Sequence, residues 1–179
     1  DDRKTIGQNE TDAPIFWLAE ILLNHAEACA ELGGSNEGLA IQSLNRLRAR
    51  AEMHLYEEQS DPLNIANPEY GIVAVSNLIW EIRRERRVEL MFDKDDRYWS
   101  LIRWHELGRL DTEEYKDQTL GAWLDDSWPM DAELKKNRVN GYISLYREYK
   151  RIYNKKHYLA PIPTDQIVLN PEIGQNPGW

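Results

Sequence analysis

Four histidines, a single cysteine and a surplus of carboxylates are the raw material for catalysis in this chain, and their spacing assembles little of it. His25, His54, His105 and His157 show no metal-ligand spacing, so no metal is expected. No glycine-rich phosphate loop is present; Gly33-Gly34 reads as a helix stop. Glu113 and Asp125 would serve glycoside hydrolysis if the fold set them on either side of a sugar bond, but loop carboxylates are usually just solvated. Cys29 has no partner for an internal disulfide, and on the apolar face of a helix it reads as a small buried hydrophobe rather than a reactive thiol. No catalytic residue and no cofactor is therefore expected. Binding has more to work with. Sugars are held by aromatic rings under their apolar faces, with amides, carboxylates and Arg on the hydroxyls. Trp123, Trp128 and Tyr115 lie in irregular sequence, where exposed rings would do this; plugging the core beneath a long loop is the commoner fate of such residues. Trp80, Trp99 and Trp104, on helices, are expected in the core.

A second set of residues points to structure rather than ligand. Between Ile79 and Leu107 runs IWEIRRERRVELMFDKDDRYWSLIRWHEL, two helical patterns with an acidic break. The apolar stripe Val75, Leu78, Ile79, Ile82 continues one turn later into Arg86 and Glu89. Charges on a buried stripe must be paired, so Glu85, Arg86, Glu89 and, beyond the break, Arg97 are expected to form an ion network. Arg86 with Glu89 and Glu81 with Arg84 are the local pairs open to it. A solvated charged face is the alternative. A buried network would confer specificity more than stability, because desolvation cancels most of the attraction.

The elements that must position these residues are helical. The spacing predicts helices at about Pro14–Leu32, capped by Asp12 or Thr11, and at Glu37–Ala51, capped by Ser35 or Asn36. Leu39, Ala40, Leu44 and Leu47 are expected inward on the second. The Gly-Gly link forces the two antiparallel, and such a pair looks like a tetratricopeptide-type unit. Helices at Ser76–Phe92, with Ser76 as N-cap, and Arg97–Leu107, capped by the acidic break and ended by Gly108, would make a second pair. Residues 52–75, with Pro62, Asn67-Pro68 and Gly71, form a long polar connection. Beyond Gly108 the periodicity fades, then Tyr142, Leu145, Tyr146, Tyr149, Ile152 and Tyr153 predict a helix over Val139–Tyr153. The last 22 residues hold Pro161, Pro163, Pro171 and Pro177 and should lie mostly extended, with one helical turn from Thr164 to Ile167. The fold class expected is all-α: a helical-pair scaffold over 1–108 and a loop-rich, proline-rich part over 109–179 packed on the same unit.

Composition agrees with a soluble globular chain: 179 residues, 41% hydrophobic, 30% charged. The net charge of −9 argues against a nucleic-acid partner. The charge is nevertheless polarised, since residues 133–157 carry eight Lys and Arg against Glu133 and Glu148. No apolar run approaches the roughly 20 residues of a membrane span, and the polar start, DDRKTIGQNETD, is expected to be an extended or poorly ordered lead-in without a signal region.

Three stretches carry a resemblance. ERRVELMF followed by DRYWSLIRW, through Glu85, Arg86, Arg87, Glu89, Leu90, Phe92, Arg97, Leu101, Arg103 and Trp104, resembles the C-terminal half of the SusD/RagB family. The family's Glu-Gly is Asp93-Lys94 here, Arg97 falls one residue later, and Ser100 replaces a common Asp. The opening is similar through Pro14, Ile15, Phe16, Ala19, Glu20, Leu22, Leu23, Ala26 and Glu27, then Leu44, Asn45, Arg48, Arg50 and Ala51, with Trp17 where an Arg is usual. The ending is similar through Leu159, Pro161, Ile162, Pro163, Ile167, Asn170, Pro171, Gln175, Asn176, Pro177, Gly178 and Trp179. The resemblance implies a SusD-like helical fold in a cell-surface lipoprotein of the outer membrane. Such a protein captures oligo- or polysaccharide, in some relatives peptide, and passes it to a SusC-like TonB-dependent transporter. Family members are several hundred residues long, so it also implies a missing N-terminal half that bears the lipid-anchored Cys and much of the ligand site. A helical-repeat adaptor binding protein or peptide partners is the second reading, and a hydrolase the third.

Overall fold

The computed structural model describes residues 15–92, 96–125, 127–129, 135, 138–144 and 149–179. The lead-in, the caps expected at Thr11 and Asp12, Pro14, and all of the acidic break but Asp96 lie outside those residues. The chain divides into two compact units, Asp1–Asn64 with Ala74–Arg97, and Ile65–Val73 with Tyr98–Trp179. Tyr98–Gly108, grouped with the helical pairs in the sequence reading, falls in the second. The described residues are mostly helical, with one very small sheet.

The first unit is built on helices α1 (Leu18–Leu32), α2 (Glu37–Arg50) and α3 (Asn77–Glu89). α1 begins four residues later than its periodicity suggests, with Ile15 and Phe16 exposed in a bend before it. It ends on Gly33, whose amide still bonds to the Cys29 carbonyl. The short link turns α2 back on α1. Leu23, Ala26, Cys29 and Ala30 meet Ala40, Leu44 and Leu47, and α3 adds Leu78, Ile79 and Ile82 to the same core. The alanines let backbones approach, while each buried Leu or Ile contributes roughly 2 kcal/mol. Leu39, expected inward, is exposed instead. Ser76 caps α3 by accepting the Ile79 amide at 3.2 Å, as its position suggests. The long connection is clamped rather than loose: Asn64 donates to the Val75 carbonyl at 2.7 Å and accepts its amide at 3.1 Å. Asn45 takes the Tyr56 amide at 2.7 Å.

α4 (Asp96–Arg103), which belongs to the second unit from Tyr98 on, stops five residues before Gly108. His105, at φ 57°, ends it in the left-handed conformation. Its amide bonds to the Ile102 carbonyl at 3.0 Å and that of Glu106 to Leu101 at 2.8 Å, the paired bonds of a Schellman end. Gly108 serves a different purpose. It lies in a 3-10 turn, Leu107–Leu110, where a Cβ would come 2.8 Å from the Tyr70 Cβ and 3.0 Å from the Tyr70 carbonyl oxygen. Tyr70 sits in the turn Pro68–Tyr70, and its ring meets Tyr115 edge-on at 6.0 Å and Tyr153 at 5.7 Å.

The helix expected over Val139–Tyr153 is not there. Arg138–Val139 (β1) and Tyr142–Ile143 (β2) pair antiparallel, Arg138 opposite Ile143. Asn140 and Gly141 turn the chain with φ 50° and 87°. Positive φ at both central residues is the requirement of a type I′ hairpin, and Asn-Gly is its strongest sequence signal, which outweighs the helical spacing of the tyrosines. Residues 149–154 are not helical, and 145–148 lie outside the described residues. Near the end, α5 (Thr164–Leu169) is a six-residue helix whose cap position is Pro163 rather than Thr164. The proline-rich tail around it is extended and knitted by amides: Gln175 accepts the Ile162 amide at 2.8 Å and donates to its carbonyl at 3.0 Å, while Asn176 donates to Ala160 at 2.7 Å.

Candidate functional site

The second unit contains an open groove of about 510 Å3. Tyr98, Trp99 and Ile102 of α4 form one wall, Leu107, Leu110 and Asp111 continue it, and 151–153 with 157–161 and Trp179 close it. Helical periodicity places Trp99 in a core, but it is 61% exposed and Tyr98 beside it 44%. The buried side of α4 is held by Ser100 and Leu101, which leaves Tyr98 and Trp99, on the preceding positions, turned to the groove. The signal was two consecutive aromatics.

The groove walls are fixed by short-range chemistry. Asp111 accepts the Tyr153 amide at 2.8 Å and the Glu113 and Glu114 amides at 2.9 and 3.2 Å. Burial opposes ionisation of this carboxyl, but the three amides outweigh it and hold its pKa below the usual aspartate value. The Thr112 amide donates to the Arg151 carbonyl at 3.0 Å and the Arg151 amide to the Thr112 hydroxyl at 3.0 Å. Tyr158 accepts the Leu107 amide at 3.1 Å, and burial pushes its phenol up to about 12. Trp179 is anchored through its indole N–H, which donates to the Leu159 and Lys156 carbonyls at 2.9 and 3.2 Å. The Lys156 ammonium lies 4.2 Å from the centre of the Trp179 ring. His157 accepts the Asn154 amide on Nδ1 at 3.2 Å, which leaves its proton on Nε2.

The three aromatics named from the sequence lie outside the groove lining. Trp123 is 57% exposed, bridged to Tyr142, with its indole against the Gly141 turn: a Cβ on Gly141 would lie 2.5 Å from Trp123 Nε1. The hairpin and the ring therefore require each other. Trp128 is 62% exposed and Asp125 turns the chain beneath it. Tyr115 is half-buried against Tyr70, and its hydroxyl accepts the Asn67 side-chain amide at 3.2 Å.

Of the charged residues of α3, in the first unit, Glu81 and Arg84 pair locally as expected, and the other partners lie on other elements. Arg48 donates to Glu85 at 3.0 Å and to Glu81, all three buried. Arg84 adds a bond to Glu81 at 2.8 Å, and this bond foremost keeps the Glu81 carboxyl below its ordinary value. The expected Arg86–Glu89 pair does not form. Arg86 grips Asp96 at 2.6 Å and Asn24 at 2.7 Å, and Glu89 pairs with Arg50. Arg97, in the first turn of α4, is half-buried and is also engaged in contacts.

Among the described residues the two carboxylates that could have served as an acid and base pair are otherwise engaged. Glu113 is ion-paired with Lys150 at 2.6 Å, and Asp125 accepts from Ser127 and is held below the usual range, the opposite of a general acid. Among the described residues no three His, Cys, Asp or Glu side chains are grouped to hold a metal, and no helix is long and apolar enough to cross a membrane. A family model described as the SusD family matches residues 1–179. No curated protein matches the chain.

Proposed function

Because this chain belongs to the SusD family, whose members are non-catalytic binding proteins, we propose that it captures a glycan at the cell surface and delivers it to a SusC-like TonB-dependent transporter. The observation that carries the reading is the open aromatic groove of the second unit, with Tyr98 and Trp99 exposed along one wall and Trp179 on the other. Pyranose rings stack on such faces at roughly 1 kcal/mol each, enough when several act together and too little to distort a sugar toward reaction. Trp123 and Trp128 offer further exposed platforms, and Tyr115 is tied to the 65–73 segment through Asn67 and Tyr70. The helices of the first unit are read as a tetratricopeptide-type frame whose packing is fixed by the ion pairs on Glu85, Arg86 and Glu89. Placement at the outer-membrane surface through a lipid on an upstream Cys follows the family.

The test is affinity electrophoresis of the full chain in gels containing a panel of polysaccharides. Retardation by at least one glycan, lost in Trp99→Ala or Trp123→Ala, supports the reading. Retention of a transporter barrel or of peptides with no glycan retarding the chain would favour the adaptor reading instead.

A further inference from the structure

Charge along the groove narrows the class of sugar. The chain as a whole is acidic, at −9, yet Arg151 lines the groove and Lys156 lies against its Trp179 wall. Three features make the groove more than a basic surface. Asp111, the side-chain carboxylate in its lining among the described residues, spends both oxygens on backbone amides of Tyr153, Glu113 and Glu114, so it does not compete for the Arg151 guanidinium. Arg151 is fixed at the wall by two backbone bonds to Thr112, while its guanidinium is exposed and has no partner among the described residues. The Lys156 ammonium stands over the Trp179 ring at the same edge, and His157 presents Nε2–H. An aromatic face bordered by a free, planar bidentate donor matches a ring that carries its own planar carboxylate.

We propose that the groove takes an acidic sugar, a uronate whose ring stacks on Trp99 and whose carboxylate is held by Arg151. The proposal rests on the glycan-binding reading above. The carboxylate of a uronate donates nothing and accepts at two oxygens, which is the complement of the five donors of a guanidinium. A neutral hexose presents a hydroxymethyl group there and satisfies the fork with one acceptor at best.

The experiment uses the full chain in titration calorimetry and affinity gels with polygalacturonate, alginate and hyaluronan. Each is run beside its carboxyl-reduced neutral counterpart, with a panel of native neutral glycans alongside. At least one acidic polymer is expected to bind about tenfold or more tightly than its reduced form, with affinity falling as salt rises. Arg151→Gln should remove most of that preference and leave folding unchanged, since the bonds Arg151 makes are backbone bonds; Arg151→Lys should retain part of it. Equal binding of acidic and reduced forms, or an unchanged preference in Arg151→Gln, overturns the proposal. If neutral glycans alone bind, the acidic-sugar inference falls while glycan capture stands; if no glycan of either kind binds, both fall.

Discussion

Replacing Arg48 by Met tests how the first unit is held together. Arg48 is 7% exposed at the last turn of α2 and serves two buried carboxylates on α3, Glu81 and Glu85. After the change Glu81 keeps Arg84 through the 2.8 Å bond, whereas Glu85 retains only the Arg84 guanidinium at 3.9 Å. The loss is therefore close to that of one buried carboxylate stripped of its partner, about 3 kcal/mol, the lower end of the range for breaking such a pair. For a chain of this size that is a fall in Tm of about 6–12 °C. Adding Glu85→Leu should return most of it, because a buried ion pair replaced by well-packed apolar groups is close to neutral. Thermal and urea unfolding followed by far-ultraviolet circular dichroism reads both variants. A loss under about 1 kcal/mol in Arg48→Met, or a double variant less stable than the single one, would show that the carboxylates are not held in the way described.

Other expectations are simpler to read. Glu52 ends α2 at φ 55° with an exposed side chain, so Glu52→Gly should stabilise by about 0.5–1 kcal/mol in the same unfolding assay. Gly108→Ala should destabilise by about 1–3 kcal/mol, since its Cβ would press on the backbone of Tyr70. Gly141→Ala, at φ 87° and against the Trp123 indole, should open the hairpin and change Trp123 emission while α1 to α3 persist by circular dichroism. Glu81 is held below its ordinary value of 4.5 mainly by Arg84, so its stabilisation is complete above that value and is lost as the pH falls through the lower folded value. Tm should thus be flat from neutral pH down to 4.5 as far as this group is concerned and decline below it, with a shallower decline in Glu81→Gln.

The helices were legible because their apolar stripes are regular, and their ends were not. α2, α3 and α4 are followed by Glu52, Phe92 and His105 at positive φ, positions where a sequence reader looks for Gly. Gly108, the first glycine after α4, looks like its stop, but its real constraint is a close approach to Tyr70 from 38 residues away in sequence. The hairpin was readable in Asn140-Gly141, but tyrosines at helical spacing masked it. Glu85 signalled that a charge was to be buried; its partner Arg48, 37 residues back, could only be found in three dimensions. The groove was the least legible feature, because it joins α4, the 151–161 segment and the terminal Trp179, and no one of these carries a binding motif by itself.

The account stands on a sugar ring resting in that groove, and a crystal structure of the full chain with an oligosaccharide cut from a retained polymer tests it most directly. The account predicts a pyranose stacked on Trp99 with intact glycosidic bonds and, for an acidic sugar, its carboxylate within hydrogen-bond reach of Arg151. A ligand seated only elsewhere on the chain, or found cleaved, would contradict it.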